Sequence, residues 1–213
     1  MGCARCGARA CGGGCGTLAA FASVTCLFAY ARPLSTLLLQ AKNDGSRMAR
    51  KAFNHLFSVR IERALADLAH RNRVRKVVLA PLRIARLLSL DWHPHVTFLA
   101  AVRRLHARGF SMEVEVPWRL LGSRQAARAA EERRREVALW EADGPNAGLE
   151  LSKEGAILVI DDVLTSGQTA LRLATHLRRR AEHAGAPIIY FSLLRTPADS
   201  LLGDIQEALV ENP

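Results

Sequence analysis

The sequence predicts an α/β fold in which a parallel sheet is covered by helices on both faces. Three observations predict it. The apolar runs Lys76-Val-Val-Leu-Ala-Pro-Leu82, Ile157-Leu-Val-Ile160 and Ile188-Ile-Tyr-Phe-Ser-Leu-Leu194 are short and largely β-branched or aliphatic, which suits strands buried on both faces. Helical patterns separate them, and strands alternating with helices give a parallel sheet. The 213 residues, 49% of them hydrophobic, allow one ordinary domain, or one domain plus a small module, with a sizeable core.

In chain order, the first 16 residues hold cysteines among glycines and small residues, with nothing large enough to build a core. From Phe21 the composition becomes that of a globular domain, and we divide the chain into a module at 1–20 and a main domain at 21–213. A turn at Pro33 leads into a short helix whose apolar stripe is Leu34, Leu37 and Leu38. A second helix is expected from Arg47 to Ala69, and the first strand follows it. Further helices are expected over His95 to Ala107, roughly Gln125 to Trp140, and Thr169 to Ala184. In the last, Ala170, Leu173, Ala174, Leu177 and Ala181 fall on one face. Asp143 to Gly148 reads as a loop.

The formal charge of +10 gives a positive field that attracts polyphosphates or nucleic acid. The arginine runs Arg133 to Arg135 and Arg178 to Arg180 read as solvated helix faces or as nucleic-acid contacts. No uncharged apolar run approaches the roughly 18 residues of a membrane span. Met1 to Ala10 does not read as a secretory signal, because glycines and cysteines follow it rather than an apolar block. The expected location is cytoplasmic, without membrane insertion.

Cys3, Cys6, Cys11 and Cys15 set four thiols within 13 residues. That density suits a tetrahedral, structural Zn2+ site in a zinc-finger-like module, the metal replacing the missing core. Disulfides, which a reducing cytosol disfavours, and unligated thiols are the other readings. Cys26 lies outside the cluster among apolar residues and reads as a core residue.

The most informative feature is Asp161-Asp162 at the end of a strand. Two adjacent carboxylates there repel each other and lose hydration unless donors or a ligand compensate. In an open α/β sheet, ligands bind outside the carboxyl ends of the strands. The loop Val163-Leu164-Thr165-Ser166-Gly167-Gln168-Thr169 then offers hydroxyls, a glycine for close backbone approach and the start of a helix, which together suit one phosphate. Carboxylates for vicinal hydroxyls beside a phosphate pocket describe a ribose 5-phosphate site. Two other readings stay open: a strand, turn and helix capped by Thr165 or Ser166, and a Walker B strand, for which no accompanying phosphate-loop motif is found.

Val159 to Thr169 resembles the phosphoribosyl-diphosphate (PRPP) motif of type I phosphoribosyltransferases. Together with the cysteines, Tyr30 to Lys42, Val77 to Leu82 and Gln125 to Val137, the chain from Cys3 to Thr196 resembles the competence protein F (ComF) family. The resemblance implies that Asp161 and Asp162 bind the ribose hydroxyls and that Val163 to Thr169 wrap the 5′-phosphate. It also implies that Ala80, Pro81, Leu82 and Arg83 form the diphosphate loop, with Mg2+ entering on the diphosphate and Lys42 and Arg86 as further cations near it. The implied activity is phosphoribosyl transfer to a nitrogenous base. The alternative is a non-catalytic accessory protein of DNA uptake that binds single-stranded DNA or a helicase partner, with Trp92 and Trp118 stacking on bases or simply packed in the core. Two departures stand out: Ala80 where the family usually has proline, and Leu90 to Pro94 where it tends to carry an Arg-Gly-aromatic-Asn-Gln stretch.

Overall fold

The computed structural model of the chain describes residues 18, 20–43, 46–83, 92–116, 118–119, 140–141, 155–165, 167–180 and 185–196. In chain order the strands are β1 (Ser23–Ala29), β2 (Lys76–Leu79), β3 (Leu82–Arg83), β4 (Glu113–Glu115), β5 (Trp118–Arg119), β6 (Trp140–Glu141), β7 (Ile157–Leu164) and β8 (Ile188–Arg195). The helices are α1 (Leu34–Asn43), α2 (Arg47–Asn72), α3 (Pro94–Ala107) and α4 (Gln168–Arg179). Five strands form one all-parallel sheet in the order β1-β8-β7-β2-β4, and the short β3, β5 and β6 pair separately.

The α/β class, the parallel sheet and the helices on both of its faces are as expected from the sequence. The expected helix from Gln125 to Trp140 and the cysteine module lie outside the described residues, except that Trp140 is in β6. Several boundaries differ. The first expected strand stops at Leu79, because Pro81 has no N–H to offer a ladder, and Leu82 and Arg83 pair in β3 instead. The strand read as Ile157 to Ile160 runs on to Leu164, held throughout by β8. Helix α4 begins at Gln168 and ends at Arg179.

Two apolar layers sandwich the sheet. On one face Leu38 of α1, Phe53, Phe57, Ile61 and Leu65 of α2, and Phe98 and Leu105 of α3 pack against Leu79, Leu158, Ile160 and Phe191. On the other, Ala170, Leu173, Ala174 and Leu177 of α4 lie over Val78, Val159 and Tyr190. The strand residues divide by alternation, Leu158 and Ile160 to one face and Ile157 and Val159 to the other, as a two-residue period requires. Aromatic contacts tie the first layer together: Phe53 and Phe57 have ring centroids 4.7 Å apart, and Phe28 of β1 meets Phe57 edge-on at 5.5 Å.

Local signals set the ends of the helices. Ser46 caps α2 by accepting from Ala49 N at 3.2 Å, and Arg73 closes it in a left-handed conformation. Pro94 occupies the first turn of α3, where a missing N–H costs nothing. Glu62 of α2, 8% exposed, accepts from Arg104 Nε at 2.5 Å and pairs with Arg108 at 2.8 Å, joining α2 to α3.

A closed ionic cluster sits at the opposite end of the sheet from Asp161 and Asp162. Lys76, 3% exposed, meets Glu115 at 2.7 Å and Glu113 at 3.6 Å, and Arg180 after α4 donates to Glu115 at 2.9 Å. Burial pushes the Glu115 carboxyl up, but its bonds and charge contacts with Lys76 and Arg180 outweigh burial and hold it below the ordinary value. A depressed folded value means that this stability is present above the unfolded glutamate range and is lost as pH falls below it.

Two outcomes are expected in urea denaturation at neutral pH. Phe53→Ala lowers stability by about 3–5 kcal/mol through the cavity it leaves under α2. Glu115→Ala costs about 3 kcal/mol by stranding Lys76, whereas the double change Lys76→Met/Glu115→Leu recovers most of that loss.

Candidate functional site

The chain path opens a crevice between β2 and β7. From β2 the connection runs through α3, on the first face, to β4 on one side. From β7 it runs through α4, on the other face, to β8 on the opposite side. Divergence of this kind at the carboxyl ends of neighbouring parallel strands is the switch point at which open α/β sheets take ligands. Strand β2 ends at Leu79 opposite Ile160, so Asp161 to Leu164 extend past it. Ala80 N donates to Ile160 O at 2.7 Å, which brings the buried Ala80-Pro81 turn alongside Asp161.

Strand alternation gives the two aspartates different surroundings. Asp161 turns toward the α4 face, where its Oδ2 accepts from Tyr190 Oη at 3.1 Å and its Oδ1 accepts from Asp162 N at 2.8 Å. Asp162 turns toward the first face, where Lys42, near the end of α1, donates to its Oδ2. His93 Nε2 lies 3.8 Å from the same oxygen. The self-repulsion expected from the sequence is therefore relieved by an ammonium for one carboxylate and neutral donors for the other.

Burial, and then the neighbouring Asp162 charge, push the Asp161 carboxyl up to about 7, so it carries a proton through much of the acidic range. Burial acts on Asp162 in the same direction, but the Lys42 ammonium, with His93 adding to it, holds that carboxyl well below the usual range. Tyr190, 1% exposed, is raised well above its ordinary value by burial and by the Asp161 charge, and remains a hydroxyl donor.

Helix α4 starts beside this pair without a side-chain cap. Its N-cap is Gly167, at φ 73° and ψ 3°, a left-handed conformation natural to glycine, which has no side chain to cap the helix. Capping by Thr165, one of the structural alternatives, is not found, and Ser166 lies outside the described residues. Thr165 is exposed, Val163, Gln168 and Thr169 are half-buried, and Leu164 packs in the α4 layer. Uncapped amides at a helix start favour an anion.

Of the residues singled out from the sequence, the structure brings together Lys42, Ala80, Pro81, Asp161, Asp162 and the Val163 to Thr165 and Gly167 to Thr169 segments. Leu82 and Arg83 continue from the Ala80 turn as β3. Arg86, Cys3, Cys6, Cys11 and Cys15 lie outside the described residues. Among the described residues no group of three or more His, Cys, Asp or Glu side chains is arranged to hold a metal ion. A divalent cation carried in on a diphosphate needs no such cage, since phosphate oxygens and water supply most of its ligands.

Sequence reasoning missed three groups. Tyr190 was read only as part of a strand. His93 and His95 fall in or beside the stretch noted as departing from the family pattern. His93 is the N-cap of α3, its Nδ1 accepting from His95 N at 3.3 Å, which leaves the ring proton on Nε2, toward Asp162. A signal was available for His93 alone, and only as a helix start: a polar residue immediately before a proline that opens an apolar helical pattern marks an N-cap. No helix of the described residues is long and apolar enough to cross a membrane. Compared with known proteins, the chain matches no family model and no curated protein.

The unequal surroundings of the aspartates predict opposite responses to amide substitution. A carboxyl raised in the folded state binds its proton more tightly there than in the unfolded chain, so its contribution falls as pH rises from about 4 to about 7. Asp161→Asn, a mimic of the protonated acid, should flatten that decline and leave stability at pH 7 unchanged or higher. Asp162→Asn should lower stability at pH 7, because it leaves Lys42 without its anion. Urea titrations at a series of pH values measure both, and a fall in stability with Asp161→Asn at pH 7 equal to that of Asp162→Asn would contradict the assignment.

Proposed function

We propose that the chain binds PRPP, or ribose 5-phosphate, at the carboxyl end of β7 and transfers the phosphoribosyl group to a nitrogenous acceptor with release of diphosphate. One observation carries this reading: two aspartates with separate charge environments at a strand switch point, one short loop away from a helix start whose N-cap is glycine. Carboxylates accept from vicinal sugar hydroxyls, and backbone amides at a helix N-terminus donate to one phosphate. The resemblance of Val159 to Thr169 to the phosphoribosyltransferase motif supports the same assignment.

On this reading the chemistry divides among the chain's own groups. The 5′-phosphate sits on the Gly167 to Thr169 amides. Asp162 takes a ribose hydroxyl, and the second hydroxyl meets Asp161. As the bond from the anomeric carbon to the diphosphate oxygen breaks, the diphosphate leaves with the electron pair and positive charge develops on the ring. Asp162, kept anionic by Lys42, stabilises that charge. The acceptor nitrogen then forms the new bond, and its proton passes to solvent. Lys42 and the turn beginning at Ala80 lie on the side where the leaving diphosphate emerges, and Mg2+ enters as part of the substrate.

The test is calorimetric titration of magnesium PRPP into the wild-type chain, Asp162→Asn, and the double variant Asp161→Asn/Asp162→Asn. The expected outcome is saturable binding by the wild type, weakened by about tenfold or more in the single variant, on the scale of a lost charged hydrogen bond, and lost in the double. No heat from the wild type would overturn the reading. Salt-dependent binding of a single-stranded oligonucleotide that survives these substitutions would then favour the accessory DNA-binding role.

A further inference from the structure

On the α3 side of the crevice, His95 is packed but not satisfied. It is 3% exposed, in the first turn of α3, and its Nδ1 has no hydrogen-bond partner among the described residues. Buried polar atoms are paired in nearly all folds, so an orphan of this kind calls for a ligand or a water. The ring stands against His93, whose Nε2 lies 3.8 Å from Asp162, which puts it beside the aspartate pair. It is held edge-on by His93, with centroids 4.4 Å apart, and stands against Phe98 at 6.2 Å. Packing on two sides fixes its direction before any ligand arrives.

His95 brings no charge to this wall. Burial pulls His95 down to about 4, so the ring stays uncharged and is too weak a base to keep a proton; its part is hydrogen bonding. His93 uses Nδ1 to accept from a backbone amide, and the Lys42 ammonium is committed to Asp162. The Lys42–Asp162 pair is neutral as a whole and His95 adds no charge, so these groups do not compensate the desolvation of an anionic ligand. The start of α4 lies on the opposite face of the sheet, so a ligand with its phosphate there spans the end of β7 with its other end toward the histidines.

We propose that His95 and His93 form the wall that recognises the phosphoribosyl acceptor, and that this acceptor is an uncharged nitrogen ring rather than a carboxylated one. The proposal rests on the phosphoribosyl reading above and adds to it the acceptor residues and the charge of the substrate. Neither the sequence motif nor the ion pair at Asp162 specifies either of these.

The experiment is a nitrogen-15 NMR titration of the full chain carrying labelled histidine, with adenine, uracil and orotate, each with and without magnesium PRPP. His95→Phe and His95→Gln are run in parallel, and binding of magnesium PRPP is read separately by calorimetry. The expected result is that adenine or uracil shifts the His95 resonance while orotate does not. His95→Phe should weaken binding of that ring about tenfold, the scale of one hydrogen bond, without changing PRPP affinity, and His95→Gln should restore part of it. If PRPP binds and no ring moves His95, or orotate alone does, the acceptor inference is overturned and the sugar-phosphate site stands. If a neutral ring moves His95 while PRPP gives no heat, the wall stands and the transferase reading falls. If neither binds, both fall. The wild-type titration decides these cases even where the phenylalanine variant does not fold.

Discussion

The structure around the crevice depends on one constraint: successive side chains of a strand point to opposite faces. Asp161 and Asp162 are neighbours in sequence, yet one answers to Tyr190 on the α4 side and the other to Lys42 on the α1 side. Had both carboxylates faced the same layer, one cation would have served two anions in nearly the same place. Instead each is tuned by a different element. The difference follows from the register of β7, which β8 fixes from Ile157 to Asp161 and again at Val163 and Leu164.

Lys42 makes the site dependent on the helical layer. It lies one residue before the end of α1, and Ser46 opens α2 a few residues later, so the junction of the two helices is held to the tip of β7 by an ion pair. Helix α2 is in turn tied to α3 by Glu62 with Arg104 and Arg108, and by Asn54 accepting from Thr97 at 2.6 Å. Helix α3 carries His93 and His95 at its start. The groups converging on Asp162 therefore come from elements that the core already packs together, which is how a polar cluster obtains fixed geometry without a loop of its own.

Much of this was legible in the sequence, for identifiable reasons. The central strands β2, β7 and β8 announce themselves because burial on both faces demands uninterrupted apolar residues. The edge strands do not. In β1 (Ser23–Ala29) burial is mostly partial, so nothing enforces a continuous apolar run, and Glu113-Val114-Glu115 of β4 reads as polar because its glutamates answer to Lys76. Asp161, Asp162 and the α4 start could be found because local spacing defines them. Tyr190, His93 and His95 reach the site through tertiary packing, and their distance from Asp162 along the chain carries no local signal. The ends of strands are also hard to read, since a strand continues wherever its neighbour supplies a ladder, as β8 does for β7 beyond Ile160.

The two ends of the sheet carry polar clusters with different charge balance. At the amino end of β2, Glu113 and Glu115 are balanced by Lys76 and Arg180, two anions against two cations, and the fold has no reason to open that arrangement. At the carboxyl end of β7, the charge contacts identified around Asp161 and Asp162 supply one lysine for two carboxyls, and the imbalance is met by a proton kept on Asp161 near neutrality. A carboxyl poised near 7 can change state when a ligand brings donors to it, whereas Glu115, held below its ordinary range, cannot. Burial alone does not distinguish these clusters, because both are largely removed from water. What distinguishes them among the described residues is that the contacts at Lys76 set two anions against two cations, whereas those at the switch point set one lysine against two carboxyls.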